Sequence, residues 1–595
     1  MPSYQAPVEE TMHVLRHVLG FGARPELSGG FDVEDGAAIL GEAARFCETV
    51  LHPLDAPGDA EGCRLGPDGT VATPAGFREA YGQYAAGGWT AMTAGDRWGG
   101  QGVPAVLATA VEEYVIAGNL AFATVPGLAA GAVRTLERFG TPELQAAWLP
   151  RLVSGECATA MSLTEPQSGS DLGLVRTRAV PAGDGRHRLS GEKIFITGGD
   201  HDLADDILHL VLARIEGAPA GTRGLSLFAV PKWLPGTDGA LAARNGFACV
   251  RLEHKMGIRA SPTCAIRYDD ALGWMVGEPH RGLAAMFTMM NEARLSVALQ
   301  GVALADKAGQ NALAYARERR QGTAPAGKEA VPAGEGHDGG PVAIVDHPDV
   351  RRMLMSVFSF TVAARVLVLS TAALVDVAAR AQDAAECEAA EERLALLTPV
   401  LKGVLTQRGF EATVLAQQVL GGHGYIVDHG LEQIVRDARI AMLYEGTNGI
   451  QALDLVQRKL PRAGGRAVRA WLDEADRRCG RAASMDGLAE FAGGQRAGVA
   501  DLRAALSWLQ AADPAHAAAV ANDVMQLFGI VALGDAFVRI LLADLAPAVA
   551  DPAGVARRRR LAGFFLRQTL PETALSLARV RKGAASVVDT SPLDL

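Results

Sequence analysis

The 595-residue chain is poor in cysteine, with only Cys47, Cys63, Cys157, Cys249, Cys264, Cys387 and Cys479. Their number is odd and no two form a CxxC pair. That argues against a disulfide framework and against a metal site, and it suits a reducing compartment. An excess of positive charge is also missing. The formal net charge is −10, which argues against a general nucleic-acid binder. The N-terminal stretch "MPSYQAPVEETMHVLRHVLGF" carries Glu9 and Glu10 and lacks the layout of a signal peptide. A cytoplasmic protein is expected. The most apolar stretch, "MSVFSFTVAARVLVLSTAALVDVAARA", is interrupted by Arg365 and Asp376. A spanning helix needs ~20 mainly apolar residues. A buried bundle helix is therefore expected, without stable membrane insertion. There is no repeat of fixed period. The dinucleotide fingerprint is absent too, since "GGHGYIVDHG" has roughly spaced glycines but no strand before it.

What is present is enough for a large core: 49% of residues are apolar and 21% charged. Residues 1–155 show helical spacing, as in "DGAAILGEAARFCETVLHPL". From about 157 to 275 the pattern changes to short β-branched runs such as "HRLSGEKIFITGG" and "GLSLFAVPKWL", which predict a small barrel or sandwich. Helical sequence returns at Gly282 and continues to the end. It is interrupted by the Gly/Pro/Ala-rich "QGTAPAGKEAVPAGEGHDGGP", read as a flexible insertion over 321–341. The expected domains are 1–40, 41–156, 157–278, 279–460 and 461–595. The fold class is mainly α with a central β-domain, because segregated helices and strands do not make a doubly wound sheet. The four arginines Arg557 to Arg560 are open to two readings, a solvated helix face or a phosphate or partner contact.

Several short stretches carry candidate chemistry. "MSLTEPQSGSDLG", from Met161 to Gly173, offers hydroxyls and backbone N–H groups that suit an anion; an ordinary turn fits it as well. In "EKIFITGG" the strand period puts Phe195 and Thr197 on one face, a ring beside a hydroxyl. That pair suits a planar cofactor, and a core phenylalanine is the alternative. Arg294 in "NEARLSVALQG" suits a phosphate or carboxylate fork, or a surface salt bridge. In "YEGTNGIQ", Glu445 interrupts helical sequence that ends at Tyr444 and resumes at Ile450. A carboxylate between an apolar residue and a glycine is a candidate for desolvation, which makes it a better base near neutral pH.

In this order, "LTEPQSGSD", "EKIFITGG", "QQVLGGHGY" and "YEGTNGIQ" resemble the acyl-CoA dehydrogenase family. "PLDAPGDAEGCR", "HPDVRRMLM" and "YEGTNGIQALDLVQRKL" look like its long bacterial branch, whose added N- and C-terminal helical pieces fit residues 1–40 and 461–595. The resemblance implies a helical N-domain, a β-barrel middle domain, a helical bundle and a C-terminal extension, with FAD bound between the β-domain and the third domain. It places Met161, Leu163 and Thr164 by the flavin, Gly169 and Ser170 at the pyrophosphate, and Phe195 and Thr197 over the ring. Many members carry Trp where this chain has Phe195. Arg319, Gln418, Gly421 and Gly422 would bind the FAD of a neighbouring subunit, and Thr447 would lie close to the cofactor. Short-chain members follow the arginine with Lys-Thr-Phe-Gly, where this chain has Arg320, Gln321 and Gly322.

Glu445 falls on the family's usual catalytic base. Ser170, Asn291, Arg294 and Gly446 fall at substrate positions, with Asn291 replacing a frequent acid. The implied reaction is α,β-dehydrogenation of an acyl-CoA thioester. The implied partners are the acyl-CoA, an electron-transferring flavoprotein, and a second copy in a homo-oligomer, most simply a dimer. An oxidase that uses O2 and a non-catalytic paralogue are the rival readings.

Overall fold

The computed structural model describes residues 3–236, 241–323 and 341–589. Most of the expected insertion at 321–341 lies outside the described residues. The chain forms two compact units, Arg45–Ser296 and Met1–Ala44 with Val297–Leu595.

In the unit Arg45–Ser296 the first labelled helices are α1 (Ala105–Gly118), α2 (Ala129–Phe139) and α3 (Pro142–Ser154). Helix α1 is buried along most of its length, which matches its nearly continuous apolar sequence. Helix α3 starts where Thr141 accepts a hydrogen bond from Leu144 N and Pro142 fills the first turn. It stops at Gly155, whose φ of 83° is left-handed. A small hairpin pairs Arg64–Leu65 with Val71–Ala72, inside a segment read from sequence as helical.

The strands are β1 (Cys157–Ser162), β2 (Arg178–Gly183), β3 (Arg186–Thr197), β4 (Asp206–Ile215), β5 (Leu225–Pro231), β6 (Phe247–Leu252) and β7 (Thr263–Val276). Strand β7 pairs with β3, β3 with β2, β2 with β4, β4 with β5, and β5 with β7 again. These five strands close on themselves, so the barrel expectation holds and most edges disappear. Strand β1 extends the sheet beside β4 in parallel, and β6 beside β7. Leu208, Leu210 and Leu212 of β4 pack with Leu225 and Leu227 of β5 and with Trp148, Leu149 and Leu152 of α3 in one apolar core. This core supports β1 and the loop after it, the stretch that contains Thr164 and Ser170.

The other unit is helical. Its long members are α4 (Gly282–Glu318), α5 (Pro348–Arg380) and α6 (Ala384–Val419), with the unit division falling inside α4. After them come α7 (Leu431–Ala438), α8 (Asn448–Asp454), α9 (Arg466–Ala483), α10 (Ala489–Ala511), α11 (Ala521–Ala543), α12 (Pro552–Gln568) and α13 (Glu572–Lys582). Helices α4 and α6 approach backbone to backbone at two glycines. A Cβ at Gly301 would stand 2.2 Å from Leu405 O, and one at Gly409 2.3 Å from Gly301 O. Among the described residues, α5 and α11 are long and apolar enough to cross a membrane. Their apolar windows are 72% and 89% buried inside the protein, which is how core helices read.

The N-terminal segment is bound into this unit by charge. Glu10 accepts from Arg365 Nη1 at 3.0 Å and also from Arg557. Arg558 holds Asp544 through Nε at 3.0 Å and Nη2 at 2.7 Å. The arginine run therefore divides: Arg557 and Arg558 make internal ion pairs, while Arg559 and Arg560 are exposed. Neither reading made from the sequence covers the first two.

Candidate active site

Within the barrel unit, the loop after β1 is clamped to β3 by a buried ion pair. Lys193 is fully buried, and its Nζ donates to Leu163 O at 2.8 Å and to Glu165 Oε1 at 2.9 Å. Ile194 N donates to Thr164 O at 2.9 Å. Glu165 also accepts from Arg176 N at 2.7 Å, Thr177 N at 3.0 Å, Thr177 Oγ1 at 2.6 Å and Gln167 Nε2 at 2.6 Å. Burial pushes the Glu165 carboxyl up, but the Lys193 charge and these donors outweigh it and hold the group at about 2. Two motifs far apart in sequence become one surface, with Leu163 and Thr164 fixed beside β3. Ser168 turns inward and donates to Asp171 O at 2.7 Å, whereas Gly169 and Ser170 are exposed. Met161 is partly buried.

A second buried network braces the same loop from β1. The Tyr268 hydroxyl lies 2.6 Å from His209 Nδ1 and 3.0 Å from Ser162 Oγ. His209 Nε2 lies 2.8 Å from Gly199 O. Burial pulls His209 down to about 4, so the ring is neutral near pH 7 and each nitrogen keeps one fixed role.

Phe195 is 60% exposed and has a φ of 60°. The core-phenylalanine reading is therefore excluded. Strict strand alternation does not hold here either. Ile196 pairs with Cys264 and Lys193 with Ile266, so Ile194 and Phe195 together face Ala265 alone. This bulge turns Phe195 outward together with Thr197, while Lys193 and Ile196 stay inside. A large aromatic in left-handed backbone costs of order 1 kcal/mol or more, a strain that clusters at functional sites.

Arg294 is only 8% exposed, which excludes a surface salt bridge. Its Nη1 donates to Asn291 Oδ1 at 3.4 Å, and its guanidinium carbon lies 6.0 Å from the Phe287 ring centre.

In the helical unit, α7 passes through a 3₁₀ turn at Arg439–Met442, and α8 begins at Asn448. The helix thus resumes two residues earlier than expected, because the Thr447 hydroxyl caps it by accepting from Ile450 N at 3.3 Å. Glu445 and Gly446 between them have φ values of 54° and 82°. Two consecutive left-handed residues reverse the chain sharply, and a non-glycine residue adopts that conformation only when its surroundings impose it.

Here the surroundings are polar and buried. Lys402 of α6, fully buried, donates from Nζ to Gly446 O at 2.7 Å and to Asn448 Oδ1 at 3.0 Å. Gln451, also fully buried, donates from Nε2 to Glu445 O at 3.1 Å and to Gly446 O at 3.2 Å. Asn448 donates to Gly403 O at 2.9 Å. The Tyr444 hydroxyl donates to Gln300 Oε1, and burial pushes that phenol well up.

Arg319, Gln418, Gly421 and Gly422 are exposed. The end of α4, which Arg319 directly follows, lies against the turn after α6, where Tyr315 OH is 2.6 Å from His423 Nδ1. A Cβ added at Gly169, Gly421 or Gly422 would meet open space, which leaves these backbones accessible to a ligand.

Four family models match the chain: the acyl-CoA dehydrogenase N-terminal domain over 34–156, middle domain over 160–271 and C-terminal domain over 336–460, and an acetyl-CoA dehydrogenase C-terminal-like domain over 466–591. A 3-methylmercaptopropionyl-CoA dehydrogenase of Ruegeria pomeroyi is 43% identical over 79% of this chain and 79% of its own length. The chain belongs to the acyl-CoA dehydrogenase family. As a member it is an FAD-dependent oxidoreductase. Other relatives are the broad-specificity linear acyl-CoA dehydrogenase FadE5 of Mycobacterium tuberculosis, 36% identical over 79% of this chain and 77% of that one, and a butyryl-CoA dehydrogenase of Syntrophomonas wolfei, 30% identical over 95% and 93%. Among solved structures, Caenorhabditis elegans ACDH-11 in complex with C11-CoA has a TM-score of 0.79 at 20% identity, covering 99% of this chain and 96% of that one. An acyl-CoA dehydrogenase complexed with FAD from Bacillus anthracis has a TM-score of 0.73 at 20% identity, covering 95% and 90%. Both share the fold.

Reasoning from sequence overlooked Lys193, Glu165, Lys402 and Gln451. Lys193 and Glu165 stand inside the motifs themselves, and Lys402 is the one charge in "LLTPVLKGVLT". A lone charge in apolar sequence was the available signal.

Proposed function

We propose that the protein oxidises an acyl-CoA thioester to the trans-2-enoyl-CoA, with Glu445 as the α-proton base. The observation that carries this reading is the left-handed Glu445–Gly446 turn, whose two carbonyls are held inward by Lys402 and Gln451. A carboxylate on a braced turn is held in one place, which suits a base that must meet a particular proton. When bound, FAD supplies hydride acceptance at flavin N5. In the barrel unit, the exposed Phe195 and the open face of Gly169 fit a flat, phosphate-bearing cofactor.

The residues divide the remaining work. Thr164, with Met161 and Leu163 beside it, bounds the flavin, and Ser170 and Gly169 offer hydroxyl and amide donors to the pyrophosphate. Phe195 and Thr197 cover the ring and exclude water, and Thr447 lies by the cofactor. Arg319, Gln418, Gly421 and Gly422 take the FAD of a second subunit, which makes a homodimer part of the reading. Arg294, oriented by Asn291, serves the CoA moiety together with Ser170. Gly446 leaves room for the thioester, and the Glu445 backbone N–H receives the charge that develops on its oxygen. The proton moves from the α-carbon to the Glu445 carboxylate as the β-hydrogen leaves with its electron pair.

The names of the relatives support an unbranched acyl chain, and the cysteine pattern supports a cytoplasmic location; an electron-transferring flavoprotein is the proposed acceptor that reoxidises the flavin. Anaerobic bleaching of the flavin across butyryl-, octanoyl-, branched and aromatic acyl-CoAs tests the reading. Wild-type protein should bleach with a straight-chain thioester, and Glu445→Gln should retain FAD without bleaching. Normal bleaching by Glu445→Gln would end the assignment of the base.

A further inference from the structure

The two sequence motifs around Glu445 and Gln418 do not explain Lys402. It sits near the middle of α6, fully buried, with its ammonium against the carbonyl of Gly446. Removing an ammonium from water costs several kcal/mol unless strong acceptors surround it. The Gly446 carbonyl and the Asn448 side chain are two such acceptors, and both belong to the turn that carries Glu445. Asn448 is itself locked by Gly403 O and by Thr406 Oγ1, at 2.9 and 3.1 Å.

The direction of these contacts matters. In a trans peptide the N–H points opposite to the C=O. The Gly446 carbonyl faces Lys402, so the Thr447 N–H faces the other way. The Glu445 carbonyl faces Gln451, so the Gly446 N–H also points away from the helix interior. A cation bonded to a carbonyl oxygen draws electron density through the amide and strengthens the donor on its far side.

We propose that Lys402 is a positioning residue for the dehydrogenation: it fixes the Glu445–Gly446 turn from behind and polarises the outward-facing Thr447 N–H, the donor of the amide whose carbonyl it holds. This deepens the reading of Glu445 as the base and rests on it. The lysine does not touch the substrate. It holds the carboxylate at the α-carbon and keeps a positive charge behind the turn that carries it.

The test uses the FAD-loaded full-length protein with butyryl-CoA and octanoyl-CoA in anaerobic stopped flow. Lys402→Met should slow flavin bleaching at saturating thioester by about tenfold to a hundredfold, the scale of a misplaced catalytic group. The concentration for half-maximal rate should change by less than about threefold, because ground-state binding is untouched. The acid limb of the bleaching rate should move to higher pH, since loss of a nearby cation raises a carboxylate pKa. A brace with no further role would lower the melting temperature and leave both the rate and the limb at wild-type values; that result overturns the proposal. Asn448→Ala keeps the lysine and removes one of its acceptors. Should Lys402→Met fail to fold, slower bleaching with an unchanged acid limb in Asn448→Ala upholds the proposal, because the turn loosens while the cation stays, and an unchanged rate overturns it. Glu445→Gln separates the two levels. If it bleaches normally, the base reading itself is wrong; if it is inert while Lys402→Met behaves as wild type, only the role of Lys402 falls.

Discussion

Lys193→Met removes one half of a pair buried between two motifs. Lys193 is fully buried and Glu165 is 3% exposed, so neither charge is screened by water. Holding Glu165 at about 2 against an ordinary 4.5 corresponds to about 3 kcal/mol near neutral pH, at ~1.4 kcal/mol per pH unit. Burial acts against the lysine, drawing it from 10.5 to about 8, a cost of similar size. The two effects nearly cancel, as is common for buried ion pairs, yet losing one partner costs ~3–5 kcal/mol. Glu165 would keep its bonds from Arg176, Thr177 and Gln167, which points to the lower end.

The readout should be local, because a chain of this size need not unfold in two states. Hydrogen exchange at Ile194, Arg176 and Thr177 reports opening of the clamp. A loss of about 3 kcal/mol means exchange faster by about a hundredfold. The double variant Lys193→Met/Glu165→Met should return most of the protection at Ile194, whose acceptor is Thr164 O, and lose it at Arg176 and Thr177, whose acceptor is the Glu165 carboxylate; Leu163 O stays without its donor, so affinity for FAD should stay reduced. Exchange within about twofold of wild type in Lys193→Met, or equal losses at Ile194 in single and double variants, would refute the reasoning.

Three other outcomes are expected. Glu445→Gln should cut anaerobic flavin bleaching by about a hundredfold or more while the bound flavin keeps its visible spectrum. Burial raises the Glu112 carboxyl to about 7, with Ser296 opposing and Glu292 adding to the rise. The folded state then binds the extra proton between about 4.5 and 7. Glu112 therefore stabilises most below its unfolded value and loses that contribution as pH rises through 7; Glu112→Gln should flatten the melting temperature against pH between 5 and 8. Arg558→Ala breaks a buried pair with Asp544 and should cost ~3 kcal/mol or more in the local opening of α12 read by hydrogen exchange, whereas Arg560→Ala on the exposed side should stay within about 0.5 kcal/mol.

The helices were legible because apolar spacing is local; their caps, Thr141 at the start of α3, Asp383 at the start of α6 and Gly155 at the end of α3, came from the structure. The strands were legible from β-branched runs, but the closing partner of β7 was not, because it pairs Trp274 and Val276 with Ala229 and Leu227 of β5, far upstream in the chain. The bulge at Phe195 escaped the alternation rule, since an extra residue on one strand is defined only by the register of its neighbour. Helix α8 starts early for a similar reason: the Thr447 hydroxyl closes the turn, and that bond is a choice of side-chain rotamer.

The sequence by itself determined the family, the fold class and the carboxylate at 445, because four short motifs in one order carry that information in residue identity. Only the tertiary structure decided what holds those motifs in place. Lys193 reaches Leu163 across thirty residues, and Lys402 reaches Gly446 across forty-four. Each of these bonds ends on a backbone carbonyl, a group that every residue has. Such a contact leaves no pattern in the acceptor's sequence, and it becomes visible only when folding has carried the buried ammonium to it.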